Sequence, residues 1–195
     1  MIVVNLIGAP GSGKSTGATY IFSQLKMAGV DAEYVSEFAK DKTWGEDFLS
    51  LQCQEYVFGK QSMRLFRVKD KVEVAVTDSP LLLSTMYNKS EVLGQSFNQT
   101  VLNVFNSYDN MTYFVNRTKP YNPNGRNQTE AESDQIAKNI LEFLNRNAVR
   151  FYQIDGCRKD YDMVVDDVLH RLGKYRIYDK SYIEARRERY GGWVI

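Results

Sequence analysis

Gly8-Ala9-Pro10-Gly11-Ser12-Gly13-Lys14-Ser15 is a complete G-x-x-x-x-G-K-S phosphate-binding loop near the start of a 195-residue chain. It follows an apolar run, Ile2-Val3-Val4-Asn5-Leu6-Ile7, that suits a buried strand, and it precedes Thr16–Met27, which continues as a helix. Strand, loop and helix in that order are the context the motif requires. Gly8, Gly11 and Gly13 let the backbone bring its N–H groups against phosphate oxygens, and the helix N-terminus adds partial positive charge. Lys14 is placed to reach β- and γ-phosphates, and the Ser15 hydroxyl to ligate Mg²⁺. The segment from Gly8 to Thr16 (Ala9, Pro10 and Ser12 included) therefore reads as the cradle of a nucleoside triphosphate, with ATP and Mg²⁺ as the expected ligands.

Working outward, strand and helix patterns alternate. Asp31–Val35 reads as a second strand, Glu73–Thr77 as a third, Met111–Val115 as a fourth and Val149–Ile154 as a fifth. Between them, Glu46–Val68 reads as one long helix, with Leu49, Cys53, Tyr56 and Val57 at helical spacing. Leu81–Tyr87 and Gln95–Ser107 read as helices broken at Gly94, and Tyr161–Leu172 as the closing helix. Thr129 and Glu132 have capping-box spacing, opening a helix whose apolar stripe is Ile136, Ile140, Phe143 and Leu144. Five strands separated by helices predict an α/β fold with a parallel sheet covered on both faces.

Composition agrees with a single domain over residues 1–172, with a 173–195 extension. Hydrophobic residues make up 43% of the chain, enough for one sizeable core, and the net charge of +1 gives no strong field toward nucleic acid or membrane. Cys53 and Cys157 have no metal-ligand spacing and read as reduced thiols, which points to the cytoplasm. The single histidine, His170, falls in a late helix, so histidine acid–base chemistry is not expected. Two stretches lack periodicity. Asn116–Gln128 carries two prolines, a glycine, Arg117, Lys119 and Arg126, and has the length of a lid. Lys174–Ile195 has six basic and three acidic residues with interleaved tyrosines, and reads as a solvated helix or a basic arm.

Six further positions invite a chemical reading. Asp78 ends the third strand in Thr77-Asp78-Ser79-Pro80, at the rim where parallel sheets bind ligands. It is placed there to hold Mg²⁺ or accept a proton from an attacking hydroxyl, although Asp-Ser-Pro is also a turn signal. Glu37, just past the second strand, is either a base for an acceptor hydroxyl or a helix cap. Arg117 and Arg126 are candidates for stabilising charge on a transferring phosphoryl group, and Arg117 equally for stacking on a purine. Asp155-Gly156, after the fifth strand, forms a turn close to where a nucleotide base would sit.

Taken together, these residues resemble the P-loop kinases of the nucleoside and nucleotide kinase group. Within that group the chain is most similar to the NadR-type ribosylnicotinamide kinases and their AAA-like relatives, many of them in phages. The resemblance rests on Gly8–Ser15, Glu37, Thr77–Pro80, the Pro120–Arg126 segment and Phe151–Gly156 with Tyr161. It implies a three-layer domain whose five strands run in the order 2-3-1-4-5. It also implies ATP as donor and an acceptor held between Glu37, Asp78 and the lid. The expected activity is γ-phosphoryl transfer from MgATP to a hydroxyl of a nucleoside- or nucleotide-like acceptor. Two other classes stay open: a kinase acting on a hydroxymethylated base in DNA, and a regulatory ATPase with no acceptor.

Overall fold

The computed structural model describes residues 1–122 and 129–175. Its elements run β1 (Ile2–Ile7), α1 (Lys14–Met27), β2 (Ala32–Val35), α2 (Phe38–Trp44), α3 (Phe48–Gln52), α4 (Gln54–Phe66) and β3 (Val74–Thr77). They continue with α5 (Leu83–Tyr87), α6 (Gly94–Asn106), β4 (Asp109–Asn116), α7 (Glu130–Arg146), β5 (Tyr152–Asp155) and α8 (Arg158–Arg171). The five strands form one sheet in the order β2-β3-β1-β4-β5, and every pairing is parallel. The topology is the one the resemblance implied.

Alternation along β1 divides the core. Ile2, Val4 and Leu6 face Ala18, Ile21 and Leu25 of α1 and Tyr161, Val164, Val165, Val168 and Leu169 of α8. On the opposite face, Ile7 packs with Leu83, Phe105, Ile140 and Leu144, and Val3 with Val35, Leu65 and Ala75. β1 is buried along its whole length because it has a strand on each side and helices above and below. All five strands therefore end at one edge, and the loops leaving β1, β2, β3, β4 and β5 gather there.

The capping box is present as expected. The Thr129 hydroxyl accepts from the Glu132 amide at 3.3 Å, and the Glu132 carboxylate accepts from the Thr129 amide at 2.7 Å. Ile140 and Leu144 of the expected stripe are fully buried.

The single helix expected over residues 46–68 is instead two, α3 and α4, preceded by the unexpected α2. Local chemistry explains the interruption. Asp47 caps α3, its carboxylate accepting from the Ser50 amide at 3.2 Å and the Ser50 hydroxyl at 2.6 Å. Cys53 leaves helical geometry with ψ of 89°, and Gln54 turns its amide back to donate to the Leu51 carbonyl at 2.8 Å. Leu49, counted toward an apolar stripe, is 78% exposed.

The α1–α8 contact is tight at Gly17. A Cβ there would stand 2.4 Å from Tyr161 Cε1 and 2.6 Å from Cζ, inside the contact distance of any real methyl. Gly17→Ala is expected to destabilise the domain by about 1–3 kcal/mol, the usual range for overpacking a core. Chemical denaturation measures this, and the added Tyr161→Leu change should recover part of the loss by removing the ring.

Candidate nucleotide-binding site

The loop between β1 and α1 is fixed by close approach. A Cβ on Gly8 would come within 2.7 Å of the Val115 carbonyl oxygen of β4, so only glycine lets the loop leave the sheet there. Gly13, the N-cap of α1, has φ of +100°, a conformation that side chains other than glycine's rarely adopt. The first turn of α1 carries no acidic side chain, so nothing on the helix offsets its positive end.

Bonds from outside hold the loop's carbonyls. Tyr161 of α8 donates its hydroxyl to the Gly13 carbonyl at 3.1 Å, and Ser133 of α7 donates to the Pro10 carbonyl at 2.8 Å. Lys14 Nζ donates to the Ala9 carbonyl at 2.9 Å, as does the Ser12 amide at 3.2 Å. Behind the loop, Gly156 lies so close that a Cβ would stand 2.5 Å from the Ser12 carbonyl oxygen. Its amide donates to Asn116 at 3.2 Å, and the Asp155 carboxylate accepts from the Asn116 side chain at 3.3 Å. The Asp155-Gly156 turn thus abuts the loop. The Ser12 hydroxyl is buried with no hydrogen-bond partner, on the side of the loop where Gly8 meets β4.

Asp78 leaves the end of β3 almost completely buried, at 2% exposure, and its Oδ1 has no hydrogen-bond partner. The turn that follows does not use it. Thr77 Oγ1 accepts from the Ser79 amide at 3.1 Å, and the Pro80 carbonyl accepts from Leu83 at 3.0 Å. An orphaned carboxylate oxygen in such a place is costly without a ligand. The Tyr34 phenol lies beside it. Burial raises the Tyr34 pKa well above the usual value, and the charge and hydrogen bonding of Asp78 raise it further.

Glu37 occupies the N-cap position of α2, yet its side chain makes no capping bond. It faces Lys14 and Asp78. Burial pushes its carboxyl above the ordinary range, with Asp78 and Asp41 adding to the rise and Lys14 and Lys40 opposing it. The Tyr87 phenol, at the end of α5, is raised by burial and by the charge of Glu37. Glu37 thus feels the charges of Lys14 and Asp78, Tyr34 is coupled to Asp78, and the part-exposed Tyr87 to Glu37. Nothing in the sequence distinguished the two tyrosines, because their proximity comes from strand register and the return of α5.

Arg117 is placed differently from a free lid residue. Its guanidinium, 16% exposed, bonds Asp134 at 2.6 Å and Glu130 at 3.1 Å on α7 and sits 5.3 Å from the centre of the Tyr121 ring. Its Nη1 is buried without a hydrogen-bond partner. Arg126 and the lid beyond Asn122 up to Gln128 lie outside the described residues, as does the extension beyond Tyr175. Among the described residues, no three His, Cys, Asp or Glu side chains gather as a metal cluster. No described helix is long and apolar enough to cross a membrane.

The family model of an AAA domain matches residues 3–161. The chain belongs to that family. No curated protein sequence matches it. The AAA-domain match covers the phosphate loop, both carboxylates and Tyr161, and with the parallel sheet it establishes a P-loop NTPase domain and hence nucleotide binding.

The position of Glu37 has a consequence for stability. Its folded pKa lies above the unfolded value, so the fold favours the protonated carboxyl. Its contribution is fully present below the ordinary carboxyl pKa and is lost as pH rises through the folded value. Glu37→Gln removes this penalty. It should melt at a higher temperature than the parent at neutral pH, and the difference should shrink toward about pH 4, where the parent carboxyl is itself protonated. Thermal melts across that range measure it, and a lower melting temperature for Glu37→Gln at neutral pH would assign the carboxylate to structure.

Proposed function

We propose that the domain transfers the γ-phosphoryl group of MgATP to a hydroxyl of a nucleoside- or nucleotide-like acceptor. The observation that carries this reading is the pair of carboxylates, Glu37, which feels the charges of both Lys14 and Asp78, and Asp78, neither of which serves the helix cap or turn beside it. A domain that only binds nucleotide has no use for two such groups at unfavourable burial.

In this reading the loop amides and Lys14 hold the β- and γ-phosphates, which draws Lys14 Nζ from the Ala9 carbonyl. The unpartnered Oδ1 of Asp78 and the Ser15 hydroxyl, in the first turn of α1, suit a hard oxygen-seeking cation. Bound there, Mg²⁺ would neutralise charge on the phosphates. Glu37, with its raised pKa, takes the proton of the acceptor hydroxyl as that oxygen bonds to the γ-phosphorus. The bond from phosphorus to the bridging oxygen breaks, and ADP leaves. Arg117 and Arg126 supply cationic charge from the lid; Arg117 reaches the phosphates by exchanging its α7 carboxylates for them. The Asp155-Gly156 turn, against the back of the loop, borders the base.

The family's description as an AAA domain favours a second reading, an ATPase that delivers its phosphoryl group to water. ADP release measured against a set of acceptors separates the two. Ribosylnicotinamide, deoxynucleosides, deoxynucleoside monophosphates and hydroxymethyl-pyrimidine DNA form the first set, with product mass as the confirming measurement. A kinase shows ADP release that rises with one acceptor and a product heavier by one phosphoryl group. Release indifferent to every acceptor supports the ATPase.

Within the kinase reading, Asp78→Asn keeps the shape of the side chain and removes its charge. It should lower turnover by about a hundredfold or more while leaving the melting temperature of the free protein no lower. Lys14→Ala should abolish transfer in a folded protein. Arg117→Ala should lower turnover far more than ATP affinity, and Arg117→Lys should not restore it, because the guanidinium fork is lost.

A further inference from the structure

An acidic side chain at a helix start ordinarily folds back onto the helix's own unpaired amides. Glu37 makes no such bond, and the peptide units on either side of it are held by a residue of another helix. Gln61 of α4, 4% exposed, accepts at Oε1 from the Phe38 amide at 2.9 Å and donates from Nε2 to the Ser36 carbonyl at 3.3 Å. Those two groups belong to the peptide units on either side of the Glu37 α-carbon. One carboxamide therefore brackets Glu37 and occupies the first amide of α2. Arg64, one turn along α4, reinforces the same turn. It donates to the Ser36 carbonyl at 3.1 Å and hydroxyl at 2.8 Å and pairs with Asp41. Phe38 is locked as well, its ring edge-on to Tyr56 at 5.5 Å.

We propose that Gln61 is a positioning residue: by bonding the peptide units before and after Glu37, it holds that carboxylate toward Lys14 and Asp78 instead of over its own helix. For its effect on turnover the inference rests on the kinase reading; for its effect on nucleotide binding it does not. A neutral amide suits the task. It is both donor and acceptor, so it satisfies both peptide units without burying a second charge beside Glu37 and Asp78.

The test is a double-mutant cycle on the full chain, with Gln61→Met in the parent and in a Glu37→Gln background. Methionine keeps the length of the side chain and removes both hydrogen bonds. Direct binding of MgATP and acceptor-dependent turnover are both measured. Gln61→Met in the parent should lower turnover by about tenfold or more without raising the KM for ATP, and lose less than about twofold once Glu37 is glutamine. In binding, Glu37→Gln should tighten MgATP by about threefold or more, because a like charge leaves the phosphate site. Gln61→Met should shift binding the same way in the parent and not in Glu37→Gln.

Equal effects in both backgrounds, in either measurement, would overturn the inference and leave Gln61 as packing. If Gln61→Met does not fold, Gln61→Asn carries the cycle. It keeps a neutral carboxamide and, one methylene shorter, weakens its reach to the Phe38 amide and the Ser36 carbonyl. A smaller loss that still depends on Glu37 supports the proposal, and one independent of Glu37 overturns it. A parent with no acceptor-dependent transfer sinks the kinase reading, while the binding cycle still decides the role of Gln61.

Discussion

Carbonyls of the phosphate loop are turned to partners other than a ligand, those of Pro10 and Gly13 from outside the loop, and the site depends on that. A tight loop has as many acceptors as donors, and an anion is attracted only if the acceptors point elsewhere. Here Ser133 takes the Pro10 carbonyl, Tyr161 takes that of Gly13, and the Ser12 amide takes that of Ala9. The two side-chain donors come from α7 and α8, which lie on opposite faces of the sheet. The loop is thus gripped by both helical layers. Its close approaches to Val115 and Gly156 leave the backbone no room to relax, so the cradle is formed before nucleotide arrives.

That rigidity lets the site tolerate unfavourable groups. Ser12 Oγ and Asp78 Oδ1 are buried without partners, and Glu37 is a buried carboxyl beside another. Each would be expected to turn toward water or a neighbour if its backbone could move. Asp78 is held by a strand paired on both sides, and Glu37 by the bonds of Gln61 and Arg64 to the adjoining peptide groups. Lys14 offers a partial remedy, since its charge opposes the rise in the Glu37 pKa. Groups held in such unfavourable surroundings are the pattern expected of a functional site.

How much of this the sequence disclosed depends on the range of each interaction. Gly8–Ser15 was readable because its chemistry is local, and so was the Thr129–Glu132 capping box. The sheet followed from apolar runs, while its strand order came through resemblance, since periodicity carries no information about neighbours in space. The start of α3 was missed because the spacing of Leu49, Cys53, Tyr56 and Val57 outweighed the capping Asp47, and that spacing runs straight through the break at Cys53. The role of Glu37 could not be separated from capping at all. The group that holds the peptide units on either side of it is Gln61, which lies 23 residues away from Phe38 in the chain. Tyr34 and Tyr87 escaped notice for the same reason.

Arg117 shows how a single turn of α7 can join the lid to the loop. Glu130 and Asp134 hold the guanidinium, and Ser133, between them in the same turn, holds Pro10. The two carboxylates are 61% and 58% exposed, so losing Arg117 would return them to water at little cost. Exposed pairs of this kind contribute at most about 1 kcal/mol each. The arginine is in the opposite position, with a buried Nη1 that no acceptor satisfies. The contact thus leaves one donor of Arg117 unsatisfied while its carboxylate partners stay open to water.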